Sequence, residues 1–314
     1  LNPIDFHPSA GAENLRRDMA AALRENRLDP KGLYATANQA ELWRQVALHH
    51  APIHRNPEFR RVYERAFDAL AARLDPVEKI ELIGLGCGTG QKEEQLYRRM
   101  KSRDICFTGI DISGELVREA IDRLVGAGAR HRRSLVCDLA DVRGWSEWLD
   151  RETGPAPRLI TFFGLVPNLP PSRLASILRA LLRPADRLLL SVHLAPARAG
   201  VYLSAAMTGL RSQYDNPETL AWLGEALRAW NLADRVLPPE MVIGEKEGIP
   251  AFIGQARWKE EESSGAPGTQ PLELFFSLRY TMEFFEGFLT RENLRAENLG
   301  VTSCGEEGIW LIGV

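Results

Sequence analysis

The chain has little of what marks several whole classes of protein. Its 39 Lys and Arg are outnumbered by 42 Asp and Glu, a net charge of −3, and no basic stripe interrupts the balance. The electrostatic footprint of a nucleic-acid binder is therefore missing. Pairs such as Arg60-Arg61 and Arg132-Arg133 read as solvated surface. The six histidines show no ligand spacing, even where His49, His50 and His54 cluster, so no metal site is expected. The four cysteines (Cys87, Cys106, Cys137 and Cys304) form no C-x-x-C, and three fall in or beside expected core strands. That usage suits reduced, buried thiols and a cytoplasmic protein. No apolar run approaches the length of a membrane span. No signal peptide is recognisable, the missing initiator Met reads as a trimmed start, and no internal repeat is visible.

What is present is enough apolar residue, 45% of 314, for a sizeable core in one large domain or two smaller ones. The chain is organised around residues 80–96, IELIGLGCGTGQKEEQL. An apolar β-branched run reads as a buried strand, a glycine cluster as a tight turn, and a polar run as a helix. Such a turn lets backbone N–H groups and bare Cα atoms approach a ligand. The glycines at 86, 88 and 90 make G-x-G-x-G. They complete G-x-G-x-x-G in no frame and lack the G-K-[ST] ending of a phosphate loop, which weakens the dinucleotide and nucleoside-triphosphate readings.

From there strands and helices alternate. Strands are expected over 80–83, 105–110, 134–137, 159–163 and 188–193, with helices over 91–99, 113–124, 144–151 and 171–182. Five strands with four intervening helices argue a parallel, doubly wound sheet with its strand ends along one binding edge. Upstream, helices are expected over 10–27, 40–50 and 57–74, the last ended by Asp75-Pro76. Downstream, 195–230 is helical in pattern, 241–258 alternates like a hairpin, 260–270 reads as an exposed loop and 272–280 as a strand. A helix is expected over 281–299, with a break near Thr290, and 309–314 reads as a terminal strand returning to the main sheet. The expected domains are an N-terminal helical region, 1–57, a main domain of 58–196 plus 283–314, and an inserted α+β unit, 197–282, that packs with the N-terminal helices.

Asp111 ends the second strand about 20 residues after the glycine turn, where a carboxylate can accept from ribose hydroxyls. Ser113 is the better cap for the following helix, with Glu115 in its first turn. Asp138 ends the third strand and either accepts from an adenine amino group beside the N–H of Leu139 or forms a turn. Lys92 is a cation in a first helical turn, where the dipole disfavours it; it either meets a carboxylate of the ligand or is merely exposed. Asn168, in GLVPN after the fourth strand, offers a donor and an acceptor at the carboxyl edge, or simply forms the loop.

The order GLGCGTGQK, IDIS, VCDL, FFGLVPNL, ALLRPADRLLLS and QYDNPE resembles the histidine-specific S-adenosylmethionine (SAM)-dependent methyltransferases. LYATANQAELW near the N-terminus is similar to a stretch of the same family, so the likeness runs from about Leu33 to Leu289. The resemblance implies a class I, Rossmann-like methyltransferase fold. It places Gly86, Gly88, Gly90, Lys92, Asp111, Asp138 and Leu139 on SAM. It makes Asn168 the residue that orients the substrate amine, and puts Tyr34, Tyr214 and Ser277 near the substrate. Two departures stand out. Many methyltransferases carry an acid two places before the first glycine, where this chain has Gly84. The family's substrate-binding E-x-S becomes Phe275-Phe276-Ser277, which removes a carboxylate partner for an imidazole.

The resemblance implies methyl transfer from SAM to a small amino-acid-like amine, with S-adenosylhomocysteine (SAH) as product, and the departure at Phe275 points to an acceptor other than histidine. Asn168 and Tyr214 are the expected catalytic residues, and Phe275 an apolar pocket wall. The alternative is a SAM- or SAH-binding protein without catalysis, which Gly84 and Phe275 favour. A nicotinamide-dependent oxidoreductase fits the glycine spacing poorly. A macromolecular acceptor is restricted to protein by the neutral surface.

Overall fold

The computed structural model describes residues 3–74, 79–100, 104–196, 203–259 and 270–313. The expected break at Asp75-Pro76 and nearly all of the expected loop 260–270 lie outside them. The chain divides into two compact units. One comprises Leu1–Ala10, Glu58–Leu194 and Tyr280–Val314; the other comprises Gly11–Pro57 and Ala195–Arg279.

The strands, in chain order, are β1 (Ile4–Phe6), β2 (Lys79–Leu85), β3 (Asp104–Asp111), β4 (Arg130–His131), β5 (Ser134–Val136), β6 (Arg158–Phe162), β7 (Arg187–His193), β8 (Glu240–Lys246), β9 (Ile249–Ala256), β10 (Leu272–Leu278), β11 (Arg295–Val301) and β12 (Glu307–Gly313). The first unit holds a sheet in the order β1-β5-β3-β2-β6-β7-β12-β11, with β4 beside β3. Pairing is parallel from β1 to β7 and antiparallel at β12 and β11. The central strands are apolar runs because helices cover both faces of a parallel sheet. Leu82, Ile83, Phe107, Ile160, Phe162, Leu188 and Leu189 are fully buried. The alternating α/β reading thus holds, including the returning terminal strand.

Three expectations need correction. The helix expected over 281–299 is a helix only over Met282–Arg291, followed by β11. β11 is a mostly exposed edge strand whose polar sequence carries no period-2 signal. The helix expected from residue 10 spans Ala12–Arg24, and the unanticipated β1 precedes it. The helix expected to begin at residue 40 begins at Ala37, because Thr36 and Gln39 form a reciprocal capping box.

The second unit packs a three-stranded antiparallel sheet, β10-β9-β8, with helices Ala12–Arg24, Ala37–His50, Leu203–Leu210 and Pro217–Ala229. Its core includes Met19, Leu33, Leu223, Phe252 and Leu272. The indole N–H of Trp222 donates to the Leu33 carbonyl at 3.2 Å, tying the N-terminal segment to the later helix.

A buried ion pair pins the N-terminal end of β6. Arg158 donates through Nε to Asp186 Oδ2 at 3.0 Å and through its backbone N–H to Oδ1 at 3.1 Å, and both residues are buried. Removing Arg158 leaves the buried Asp186 carboxylate with the more distant Arg183 guanidinium, at 3.6 Å, as its cation. Arg158→Ala is expected to lower unfolding free energy by about 3–5 kcal/mol. Urea denaturation checks this, and a loss under about 1 kcal/mol would contradict it.

Candidate functional site

At the carboxyl end of β2 the chain turns through three residues of positive φ, Gly86 (62°), Gly88 (50°) and Gly90 (71°). Side chains are excluded here by space as well as by φ. A Cβ on Gly86 would stand 2.8 Å from Leu165 Cδ2, and one on Gly90 would stand 2.9 Å from the Ala120 Cα. The bare turn lets the loop after β6 and the helix Gly114–Gly126 close on it. Backbone N–H groups of Gly86 and Cys87 donate to the Ile110 carbonyl at 2.8 and 3.1 Å, lashing the turn to β3.

Asp111 completes that tie. One carboxylate oxygen accepts from the Gly88 N–H at 2.9 Å and the other from the Ser113 N–H at 3.1 Å. Burial pushes its carboxyl up, and the N–H groups of Gly88, Ser113 and Ile112 pull it back. Ser113 caps the next helix as expected, accepting from the Leu116 N–H. Asp111 therefore faces the glycine turn, and its two oxygens together keep acceptor capacity beyond these N–H groups. Asp138 is half-buried just past β5, where Oδ1 accepts from the Ala140 N–H at 2.8 Å and its own N–H donates to Ser9 Oγ at 3.0 Å. Leu139 beside it is buried.

Lys92 is half-buried and engaged. Its ammonium donates to the Tyr63 hydroxyl at 3.1 Å and lies 4.8 Å from that ring's centre and 5.6 Å from that of Phe163. Tyr63 in turn donates to Glu307 on β12. Burial pulls the Lys92 ammonium down, while Glu307 and Glu93 raise it. The Tyr63 phenol is pushed well up, first by burial and then by the Glu307 charge. An ammonium has three donors and this one spends a single hydrogen bond on protein, so two remain for an anion. Asn168 closes the short 3₁₀ turn Val166–Asn168, after Gly164 at φ 76°, and is half-buried. Cys87 sits in the turn with its thiol pushed well up, chiefly by burial.

The second unit gathers the other expected residues. The Tyr214 hydroxyl lies 2.8 Å from Ser277 Oγ, and its ring stacks on Phe252 at 4.5 Å. Phe275 meets Trp222 edge-on at 5.6 Å and lies 6.4 Å from Tyr214. Tyr34 lies 5.6 Å from Trp222. Four positions scattered along the sequence thus share one aromatic cluster.

Sequence reasoning passed over Tyr63, Glu93, Glu307 and Arg279. Arg279 is buried and donates to the Tyr214 hydroxyl at 3.1 Å and to Gln213 Oε1 at 2.6 Å. A charged residue two places after Ser277 in an apolar strand was the available signal. The others are joined by pairings hundreds of residues apart, or buried on a helix that reads as polar. His50 also gains a partner, Glu218 at 2.9 Å.

A family model described as histidine-specific methyltransferase, SAM-dependent, matches residues 15–223. The chain belongs to that family. Three solved structures illustrate the wider resemblance of this SAM-dependent methyltransferase. A protein described as an O-methyltransferase from Nostoc punctiforme has TM-score 0.45 at 11% identity, covering 98% of this chain and 69% of the other. The plantazolicin methyltransferase BamL, solved with a triazolic desmethyl analogue and SAH, has TM-score 0.45 at 11% identity, covering 96% and 99%. A SAM-dependent methyltransferase from Leishmania major has TM-score 0.42 at 11% identity, covering 87% and 80%. No curated protein matches the chain. Among the described residues no helix is long and apolar enough to cross a membrane, and no group of side chains is arranged to hold a metal.

The Asp111 assignment is tested by Asp111→Asn, which keeps shape and one acceptor. Loss of a charged hydrogen-bond partner, worth about 1.5–3 kcal/mol, should weaken SAH binding by about tenfold or more. Calorimetry reads this; wild-type affinity in the variant would remove Asp111 from the ligand.

Proposed function

We propose that this methyltransferase transfers a methyl group from SAM to the nitrogen of a small, amino-acid-like amine with an aromatic or apolar side chain, and not to histidine. The observation that carries the reading is Phe275. It stands among Trp222 and Tyr214, where the family's pattern has a glutamate that would serve an imidazole.

The residues at the sheet edge fit SAM. The turn at Gly86 and Gly90 is packed too closely on Leu165 and Ala120 for side chains, Asp111 offers acceptor capacity to a ribose, and Lys92 offers donors to the methionyl carboxylate. Asp138 and Leu139 are assigned to the adenine. When bound, SAM supplies an electrophilic sulfonium methyl group and departs as neutral SAH. The protein's own work is to hold and orient. An ammonium has no lone pair, so the acceptor must react as the free amine. Asn168, with a donor and an acceptor on one amide, is assigned to turning that lone pair. We assign reading of the acceptor's side chain to the second unit, through Tyr34, Tyr214, Phe275 and Ser277. Arg279 and Ser277 fix the Tyr214 hydroxyl in direction.

A second reading, cofactor binding without catalysis, draws on Gly84 and Phe275, neither of which supplies the expected carboxylate. A thermal-shift screen of amino acids and biogenic amines over the SAH-bound protein, followed by methyl transfer from SAM, separates the two. An aromatic or apolar amine should stabilise the complex and be methylated, and histidine should do neither. Efficient methylation of histidine would contradict the substrate claim, and tight SAM binding with no transfer across the panel would favour the second reading. With the accepted amine, Asn168→Ala should cut turnover by about a hundredfold and leave SAH affinity within a few-fold. An unchanged rate would strip Asn168 of its role.

A further inference from the structure

Glu93 is a buried carboxylate that no step above uses. It lies in the first turn of the helix Gln91–Arg99 and is 3% exposed. Among the described residues no basic side chain is hydrogen-bonded to it, and its side-chain partner is the hydroxyl of Thr161, which donates to Oε1 at 2.9 Å. Burying a carboxylate without a hydrogen-bonded cation is costly, and a positive charge brought near it lowers that cost.

The position explains how it fits. Thr161 on β6 is in register with Gly84 on β2. A Cβ built on Gly84 would stand 2.9 Å from the Cys87 Cβ and 3.4 Å from the Glu93 Cγ. Glu93 thus reaches into space beside the bare Cα of Gly84, the place where the sequence lacks the acid common in other methyltransferases. Burial pushes its carboxyl up; its own helical N–H, Thr161 and Lys92 pull it down, and Asp111 pushes it up again. Among the described residues, Glu307 and Glu93 act on the Lys92 ammonium, and Asp111 acts on Glu93. A cationic ligand at this edge would add to what Lys92 and the Thr161 hydroxyl already give Glu93.

We infer that Glu93 supplies from the helix the carboxylate that β2 lacks at Gly84, and that it gives the site its preference for the cationic sulfonium of SAM over the neutral thioether of SAH. This rests on the SAM reading above and deepens it. Glu93 acts through its charge in a low-dielectric surrounding, not through a bond to the methyl group, and so is a positioning residue.

The test is Glu93→Gln, which keeps shape and an oxygen to accept from Thr161 while deleting the charge. Calorimetry gives affinities for SAM and SAH, and urea denaturation of the ligand-free protein reports on folding. The SAM-to-SAH affinity ratio should fall by about tenfold, with SAH affinity within about twofold of wild type. Thr161→Val leaves the charge but removes the hydroxyl that fixes it, and should move the same ratio the same way by about threefold. It serves also if the glutamine variant does not fold. A ratio unchanged in these variants, or SAM and SAH weakened in parallel, overturns the inference and leaves the SAM reading standing. A wild-type protein that binds neither ligand overturns both.

Discussion

The buried carboxylate of Asp111 is the constraint on which the cofactor half of the molecule depends. It joins the end of β3 to the glycine turn and to the start of the next helix through two backbone N–H groups. Those bonds form only if the turn lies close, and it lies close only because its glycines carry no side chain. The Arg123 guanidinium, donating to the Thr89 carbonyl at 2.9 Å, braces the same turn from the helix side. One small loop thus fixes the spacing of two strands and two helices, its N–H groups spent on Ile110, Asp111 and Cys87.

The charges around this turn share one logic. Isolated buried charges are expensive, and each here is offset by something specific. Asp111 has backbone N–H groups, Lys92 has Tyr63 backed by Glu307, and Glu93 has Thr161 and its own helix terminus. Directional partners of this kind hold side chains in place before any ligand arrives, which lowers the ordering cost of binding. In the second unit, the Tyr214 hydroxyl is fixed between Ser277 and Arg279 in the same manner.

The doubly wound sheet was legible because its signals are local. Apolar β-branched runs, a glycine cluster and a serine cap each declare themselves within a few residues, and β2, β3 and the helix from Gly114 stand where those signals put them. β11 was misread because an edge strand solvated along most of its length has no apolar alternation to display. The strand Ile4–Phe6 is too short to show a period. At the candidate site, the glycine turn and the strand-terminal place of Asp111 were legible from motif and spacing. Tyr63 and Glu307 were not, since partners 244 residues apart leave no trace in any window of sequence. Glu93 was hidden by its company: in a run of Gln, Lys and Glu nothing marks which side chain turns inward.

The central claim is that a bare turn, held by a strand-terminal aspartate, grips the adenosyl group of the cofactor. A crystal structure of the protein grown with SAH tests it most directly. The account predicts ribose hydroxyls on Asp111, the amino-acid carboxylate at Lys92 and the adenine beside Asp138 and Leu139. Density for the ligand elsewhere, or a turn left empty at saturating SAH, would contradict it.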